Sequence, residues 1–332
     1  MNSPIRAWAQ LVRVPNTLTS CADVLAGLAL VVGAWNSTPK LLIPLVVVSL
    51  ASVCFYWAGM VLNDVHDLEK DKLQRRNGPL IDGRISIHAA RLAGWALLLG
   101  GWGLALLART LVPDSLVDVA DAGHFTWMIL PISTALAVCI VAYDSRLKAT
   151  QLGPWLMGLC RGLNMALGVS IGTAVLWPSS QAWVCILSVV LGHVLFVVGI
   201  TLAARREGLM QQSRLRMIAA WGTSLLGVAA IATSSLWGSK LFWPTETEYR
   251  LEPGSLFPIL VFMLALPWLR RAVLSASKPG VGTLVPAIKQ AILTIIFLDA
   301  AVALQYGGNV PGLIVCSFAI PTLALARIFR MT

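Results

Sequence analysis

The chain has 332 residues, 57% of them hydrophobic and 12% charged, with a mean hydropathy of +0.78. Soluble domains carry about 25% charged residues, so this composition excludes a disordered chain, a coiled coil and an ordinary soluble globular domain. A membrane helix takes about 20 residues, so the length fits one membrane-embedded all-α domain over residues 1–332, a helical bundle of nine or ten spans.

The first fifteen residues, beginning MNSPIRAWAQ, have no continuous apolar core and read as a short amphipathic interfacial helix. Apolar runs then follow near Thr17–Trp35, Leu41–Leu62, His88–Ala108, Thr126–Tyr143 and Gly153–Trp177. Five more lie near Trp183–Ala203, Met217–Trp237, Leu256–Ala272, Thr283–Leu304 and Pro311–Ile328. Pro267, Arg270 and Arg271 make the eighth run the weakest.

The net charge of +10 raises the question of a nucleic-acid partner. The positions of the basic residues answer it differently. With ten spans and a cytoplasmic N-terminus, 20 of the 25 Lys and Arg fall in or beside cytoplasmic segments. Lys40, Arg109, Lys240 and Arg250 fall outside, and Arg161 lies within a span. The expectation is an integral multi-pass membrane protein with both termini in the cytoplasm and no nucleic-acid partner. The six cysteines are scattered, with no CxxC pair, so neither a disulfide framework nor a zinc site is expected.

Only 15 residues are acidic, and five of them fall between Asp64 and Asp82. The stretch continues the second run at its cytoplasmic end. Asp64, Asp67 and Asp71 are spaced i, i+3 and i+7, which places them on one helical face with Asn63 at its margin. Carboxylates gathered in this way repel one another unless a cation lies between them. Mg²⁺ takes hard oxygen ligands and commonly bridges carboxylates to phosphates. Arg75, Arg76 and Arg84 follow, and guanidinium groups suit bidentate phosphate binding.

The pattern Asn63-Asp64-x-x-Asp67-x-x-x-Asp71, followed by Arg75-Arg76, Pro79-Leu80 and Gly83-Arg84-Ile85-Ser86, resembles the first aspartate-rich motif of the UbiA superfamily of intramembrane prenyltransferases. The resemblance implies a helical bundle, characteristically of nine spans, in which this motif binds the Mg²⁺-diphosphate of an isoprenoid donor. Tyr143, Lys148 and Thr150 match a second segment that helps hold the diphosphate in that family, with Leu147 in place of a basic residue and Arg146 nearby. After the sixth run the family carries a second aspartate-rich motif. Here Glu207 is the only acid of the segment, beside Arg205 and Arg206, so a second metal cluster is in doubt and Arg205 is read as a direct neutraliser of diphosphate. The wider pattern, with Cys160-Arg161-x-x-Asn164, is most similar to the divergent EboC-like branch.

Arg161 and Asn164 lie a turn apart within the fifth run. A charge this deep usually faces a bundle interior or cavity. The choice is between pairing with a carboxylate and reaching substrate, and both residues are counted among the diphosphate-binding candidates. Asp23, Asp299 and His193 are read as internal hydrogen-bonding partners.

The expected function is Mg²⁺-dependent transfer of an isoprenyl group from a polyprenyl diphosphate to an unidentified acceptor in the lipid bilayer. Asp64, Asp67 and Asp71 are the metal and catalytic carboxylates, with Glu207 a weaker metal candidate. Asn63, Arg75, Arg76, Tyr143, Lys148, Arg161, Asn164 and Arg205 are the diphosphate set, at a cytoplasmic active site. The rival is a protein of the same fold that binds or carries a lipid or amphipathic metabolite. The CDP-alcohol phosphotransferases need an Asp-Gly-x-x-Ala-Arg pattern that the chain lacks.

Overall fold

In a hydrocarbon environment every backbone N–H and C=O needs an internal partner, and for an open chain the helix supplies it. A computed structural model describes residues 4–34, 36, 38–73, 77–116, 127–145, 147–175, 178–205, 214–237 and 250–329, and contains helices but no strand among them. In order they are α1 (Pro4–Leu11), α2 (Thr17–Val32), α3 (Leu42–Leu73), α4 (Ile87–Thr110), α5 (Ile129–Asp144) and α6 (Gly153–Thr173). The second half comprises α7 (Ser180–Ala204), α8 (Arg214–Thr233), α9 (Leu256–Ser277), α10 (Val281–Val302), α11 (Asn309–Ser317) and α12 (Ala319–Ile328).

Eight helical segments are long and apolar enough to cross a membrane. Two further helices stand where the sequence places spans. One is α5, apolar but only 16 residues long, and the other is α6, which carries Arg161 and Asn164 at its middle. The protein is thus an all-helical integral membrane bundle.

Helix α3 has 32 residues and, at ~1.5 Å per residue, is roughly 48 Å long. That exceeds the ~30 Å of a hydrocarbon core. The apolar run ends near Leu62, yet the helix continues to Leu73, so its last three turns carry Asn63, Asp64, Asp67 and Asp71 beyond the apolar segment.

The segment after the aspartates packs rather than dangles. Leu80 and Ile85 are buried against Ala7 and Leu11 of α1, Val61, Val65 and Leu68 of α3, and Ala90 of α4. Gly83 turns the chain with φ +67°, where a Cβ would be strained. Ser86 caps α4, its Oγ accepting from the Ala89 N–H at 3.2 Å. Arg84 donates to Gln10 and to Asp82, each at 2.9 Å. At the N-terminal end of the described residues α1 turns Ala7 and Leu11 onto the end of α3.

Two apolar clusters form the interior. One joins α2 and α6 to α7, α8, α9 and α10, and the other joins them to α3, α4, α5 and α11. The two shared helices cross at glycines: a Cβ on Gly27 would strike the Met165 carbonyl, and one on Gly168 the Val24 carbonyl. Small residues at such crossings let backbones approach where lipid offers no hydrophobic driving force. By contrast, Gly103 of α4 faces open space.

Gly168→Val should therefore lower the thermal midpoint of the detergent-purified protein sharply or abolish monodisperse protein, since overpacking costs about 1–3 kcal/mol even where side chains can yield. Gly103→Ala should leave the midpoint unchanged. A matching midpoint for the two variants in a thermal-shift measurement would contradict this account of the α2–α6 crossing.

Candidate active site

The aspartate face of α3 meets the link between α5 and α6. Lys148 sits in a single helical turn (Leu147–Ala149) just before α6, and its Nζ donates to Asn63 Oδ1 at 2.6 Å and contacts Asp67 Oδ2. The same ammonium lies 5.8 Å from the centre of the Tyr143 ring, over its face. The i, i+3 spacing thus presents Asp64 and Asp67 together, and a residue 81 positions away supplies a cation to the second of them.

Asp64 is met from the other side. Arg13 Nη2 stands 3.4 Å from Asp64 Oδ1, and Asn63 Nδ2 lies 3.5 Å from the same oxygen. Arg13 occupies the turn from α1 to α2 with φ 53° and ψ 53°, a left-handed conformation seldom adopted outside glycine. The turn is held by hydrogen bonds from the Arg13 N–H to the Gln10 carbonyl and from the Asn16 N–H to the Arg13 carbonyl, at 3.2 and 2.9 Å. It directs the guanidinium at Asp64. Arg205, at the C-terminal end of α7, donates through Nη2 to the Lys148 carbonyl and so fixes the loop that carries Lys148.

Asp71 lies one turn beyond Asp67 on α3, among the charges that Asp64 feels. Arg75, Arg76 and Glu207 lie outside the described residues.

This arrangement suits a divalent cation and a phosphate. Hard oxygen donors are clustered and half-buried. Lys148 sits where a cation between Asn63 and Asp67 would sit, and Arg13 answers Asp64.

Arg161 and Asn164 do not join this cluster. Arg161 Nη2 is 2.7 Å from Asp23 Oδ1 and 3.5 Å from Asp299 Oδ2, and the guanidinium also donates to the Thr19 hydroxyl and carbonyl at 3.2 and 2.9 Å. Asn164 donates to Asp23 Oδ2 at 2.7 Å and to the Ser20 carbonyl at 2.9 Å, and accepts from Ser52 at 2.6 Å. Of the two roles open to Arg161 in the sequence, the structure realises carboxylate pairing. The physical reason is the pair of carboxylates, Asp23 and Asp299, both with no exposure, which one guanidinium neutralises only in part.

His193 completes this buried set. Its Nδ1 is 2.9 Å from the Val189 carbonyl, which only accepts, so Nδ1 carries the hydrogen. Nε2 lies 3.0 Å from Asp299 Oδ1. Asp23, His193 and Asp299 are close enough to share a metal ion. The Arg161 guanidinium already stands among them, which makes a divalent ion there electrostatically costly.

A groove of about 330 Å³ between α9, α10 and α11 shares no residue with the aspartate cluster. Its walls are apolar apart from Asn309, and it offers nothing to a diphosphate.

The protein is thus a helical membrane bundle with carboxylates and basic groups converging at one end. The sequence model described as the UbiA prenyltransferase family matches residues 22–285, and the chain belongs to that family. Among curated relatives, the digeranylgeranylglyceryl phosphate synthase of Sulfolobus acidocaldarius is 37% identical over 87 residues, 26% of this chain and 30% of that protein. That of Methanoculleus marisnigri is 30% identical over 148 residues, 45% of each chain. The matched stretch is thus less than half the length of these relatives. A UbiA homologue from Archaeoglobus fulgidus bound to GPP and Mg²⁺ aligns with a TM-score of 0.59 at 15% identity, over 94% of this chain and 99% of that one. The apo UbiA homologue from Aeropyrum pernix K1 aligns at 0.58 and 16% identity, over 87% and 97%. At these identities the structures speak for the fold.

Arg13 and Asp144 are members of the site neighbourhood that sequence reasoning did not single out. Arg13 reads as one more basic residue before a span, and its partner is 51 positions away. Asp144 reads as the polar end of an apolar run.

The buried set makes a stability prediction. Arg161→Met leaves two carboxylates without their cation and should cost about 3–5 kcal/mol, seen as loss of folded protein in detergent. The triple variant Arg161→Met/Asp23→Asn/Asp299→Asn should recover much of it. Wild-type thermal stability in Arg161→Met alone would show that the pairing is dispensable.

Proposed function

We propose that the protein is a Mg²⁺-dependent prenyltransferase that moves an isoprenyl group from a polyprenyl diphosphate to an acceptor within the membrane. The observation that carries this reading is the convergence of Asn63, Asp64 and Asp67 of α3 with Lys148 at one end of an apolar bundle. Membership of the UbiA prenyltransferase family supports it, as does the likeness in fold to a homologue bound to GPP and Mg²⁺.

Asp64 and Asp67, with Asp71 a turn beyond, are the metal carboxylates, and Asn63 assists them. When bound, Mg²⁺ supplies Lewis-acid stabilisation of the negative charge that grows on the leaving diphosphate. Lys148 turns from Asp67 to the diphosphate oxygens, with Tyr143 stacked against its ammonium. Arg13 is released from Asp64 in the same way. Arg75 and Arg76 are further diphosphate groups. Arg205 acts indirectly in this scheme, by holding the backbone of Lys148.

The allylic C–O bond breaks with its electron pair leaving on the diphosphate, and a lone pair or π-bond of the acceptor closes on the freed carbon. Any proton displaced from the acceptor is taken up by the released diphosphate and leaves with it. The protein's part is positioned charge in a site shielded from water. The basic residues around Lys70–Arg84, at Lys148 and around Arg205–Arg216 support a reading in which this site and both termini are cytoplasmic.

Asp64→Asn and Asp67→Asn should each lower diphosphate release from labelled prenyl diphosphates by a factor of about 100 or more, in line with loss of directly involved groups, with elution volume and thermal midpoint retained. Removing Mg²⁺ with a chelator should do the same to the wild type. Wild-type rates in both variants would remove the metal assignment. Tight prenyl-lipid binding without turnover across donors and acceptors would favour the carrier reading instead.

A further inference from the structure

The segment after α7, where the family places its second acidic motif, offers Glu207 beside Arg205 and Arg206, and Arg205 is engaged with the Lys148 backbone. The site nevertheless holds another carboxylate, contributed by a different helix. Asp144 is the last residue of α5, next to Tyr143 and four residues before Lys148. It is 4% exposed, and its Oδ2 is enclosed with no hydrogen-bond partner among the described residues. The charges around it are Lys148, Asp67, Asp64 and Arg13, the same groups that make up the aspartate cluster.

A buried carboxylate oxygen without a donor is costly. The nearby cations do not relieve it: Lys148 is held by Asn63 and Asp67, and Arg13 by Asp64. Each basic group of the cluster thus answers α3, and Asp144 faces them from α5 with an oxygen to spare.

We infer that Asp144 is a further carboxylate of the metal site, contributed from α5 beside the acidic face of α3. Asp144 would help Asp64 and Asp67 hold a divalent metal, with Lys148 turned to the diphosphate. A buried carboxylate oxygen without a donor, beside the acids of α3, is a place for a small hard cation. This inference rests on the prenyltransferase reading of the same site.

The test uses the full-length protein in detergent and two readouts. The first is Mn²⁺ binding in the presence of inorganic diphosphate, followed by electron paramagnetic resonance. The second is the Mg²⁺ dependence of diphosphate release. Asp144→Asn should weaken Mn²⁺ binding by about tenfold or more, the scale of losing a group that supports a metal. It should raise the Mg²⁺ half-saturation by a similar factor, while the KM for prenyl diphosphate at saturating Mg²⁺ changes by less than about threefold. Asp144→Glu, which restores the charge, should recover most of the Mn²⁺ affinity. If Asp144→Asn does not fold, Asp144→Cys serves in its place, with Cd²⁺ binding restored and Mn²⁺ binding lost. Mn²⁺ affinity within twofold of wild type in the folded variants would overturn the role of Asp144 and leave the prenyltransferase reading intact. A wild type that binds no Mn²⁺ with diphosphate and releases none from prenyl diphosphates would overturn both.

Discussion

A charge placed in an apolar bundle must be answered by another charge or a proton, and the architecture of this protein follows from that requirement. Its few ionisable groups are gathered into two sets. One is locked in the interior, where Asp23, Asp299, Arg161 and His193 join α2, α10, α6 and α7. The other stands at the end of α3, where Asp64 and Asp67 are met by Arg13 and Lys148. The first set organises the helices. The second stands half-buried at one end of the bundle, within reach of solvent.

The difference between the sets lies in solvent and in reach. The interior set has Asp23, Asp299 and His193 wholly enclosed, with Arg161 tied to four oxygen atoms. Breaking any one of those contacts strands a buried charge. In the outer set the side chains are half-buried, and the partners come from a turn before α2 and a turn before α6. Those turns are in turn held by neighbours: Arg13 by hydrogen bonds around its left-handed residue, Lys148 by Arg205. Flexible side chains on fixed backbone are what a site needs if it is to exchange its own ammonium and guanidinium for a metal-bound anion.

Much of this was legible in the sequence, and the reasons differ by residue. Asp64, Asp67 and Asp71 stand out because acids are scarce in an apolar chain and their spacing fixes one helical face. The pairing of Lys148 with that face is foreshadowed by the motif around Tyr143. The Leu80, Gly83, Ile85 and Ser86 positions look like part of the same signature, yet in the structure they pack α1, turn the chain and cap α4. Motif residues can be there for architecture. Arg161 and Asn164 illustrate the opposite difficulty: periodicity puts them on an inward face, but only the fold says that Asp23 and Asp299 arrive there first. Arg13 and Asp144 had no local signal, since each owes its position to contacts across helices.

The account stands on the idea that Lys148 and Arg13 hold the place of a metal-bound diphosphate. The most direct measurement is a structure of the protein with Mn²⁺ and a non-hydrolysable prenyl thiolodiphosphate, read by anomalous scattering at the metal. The account predicts Mn²⁺ against Asp64 and Asp67, with the Lys148 ammonium moved from Asp67 onto the diphosphate. Metal bound elsewhere in the bundle, or Lys148 still seated on Asp67 beside a bound donor, would contradict it.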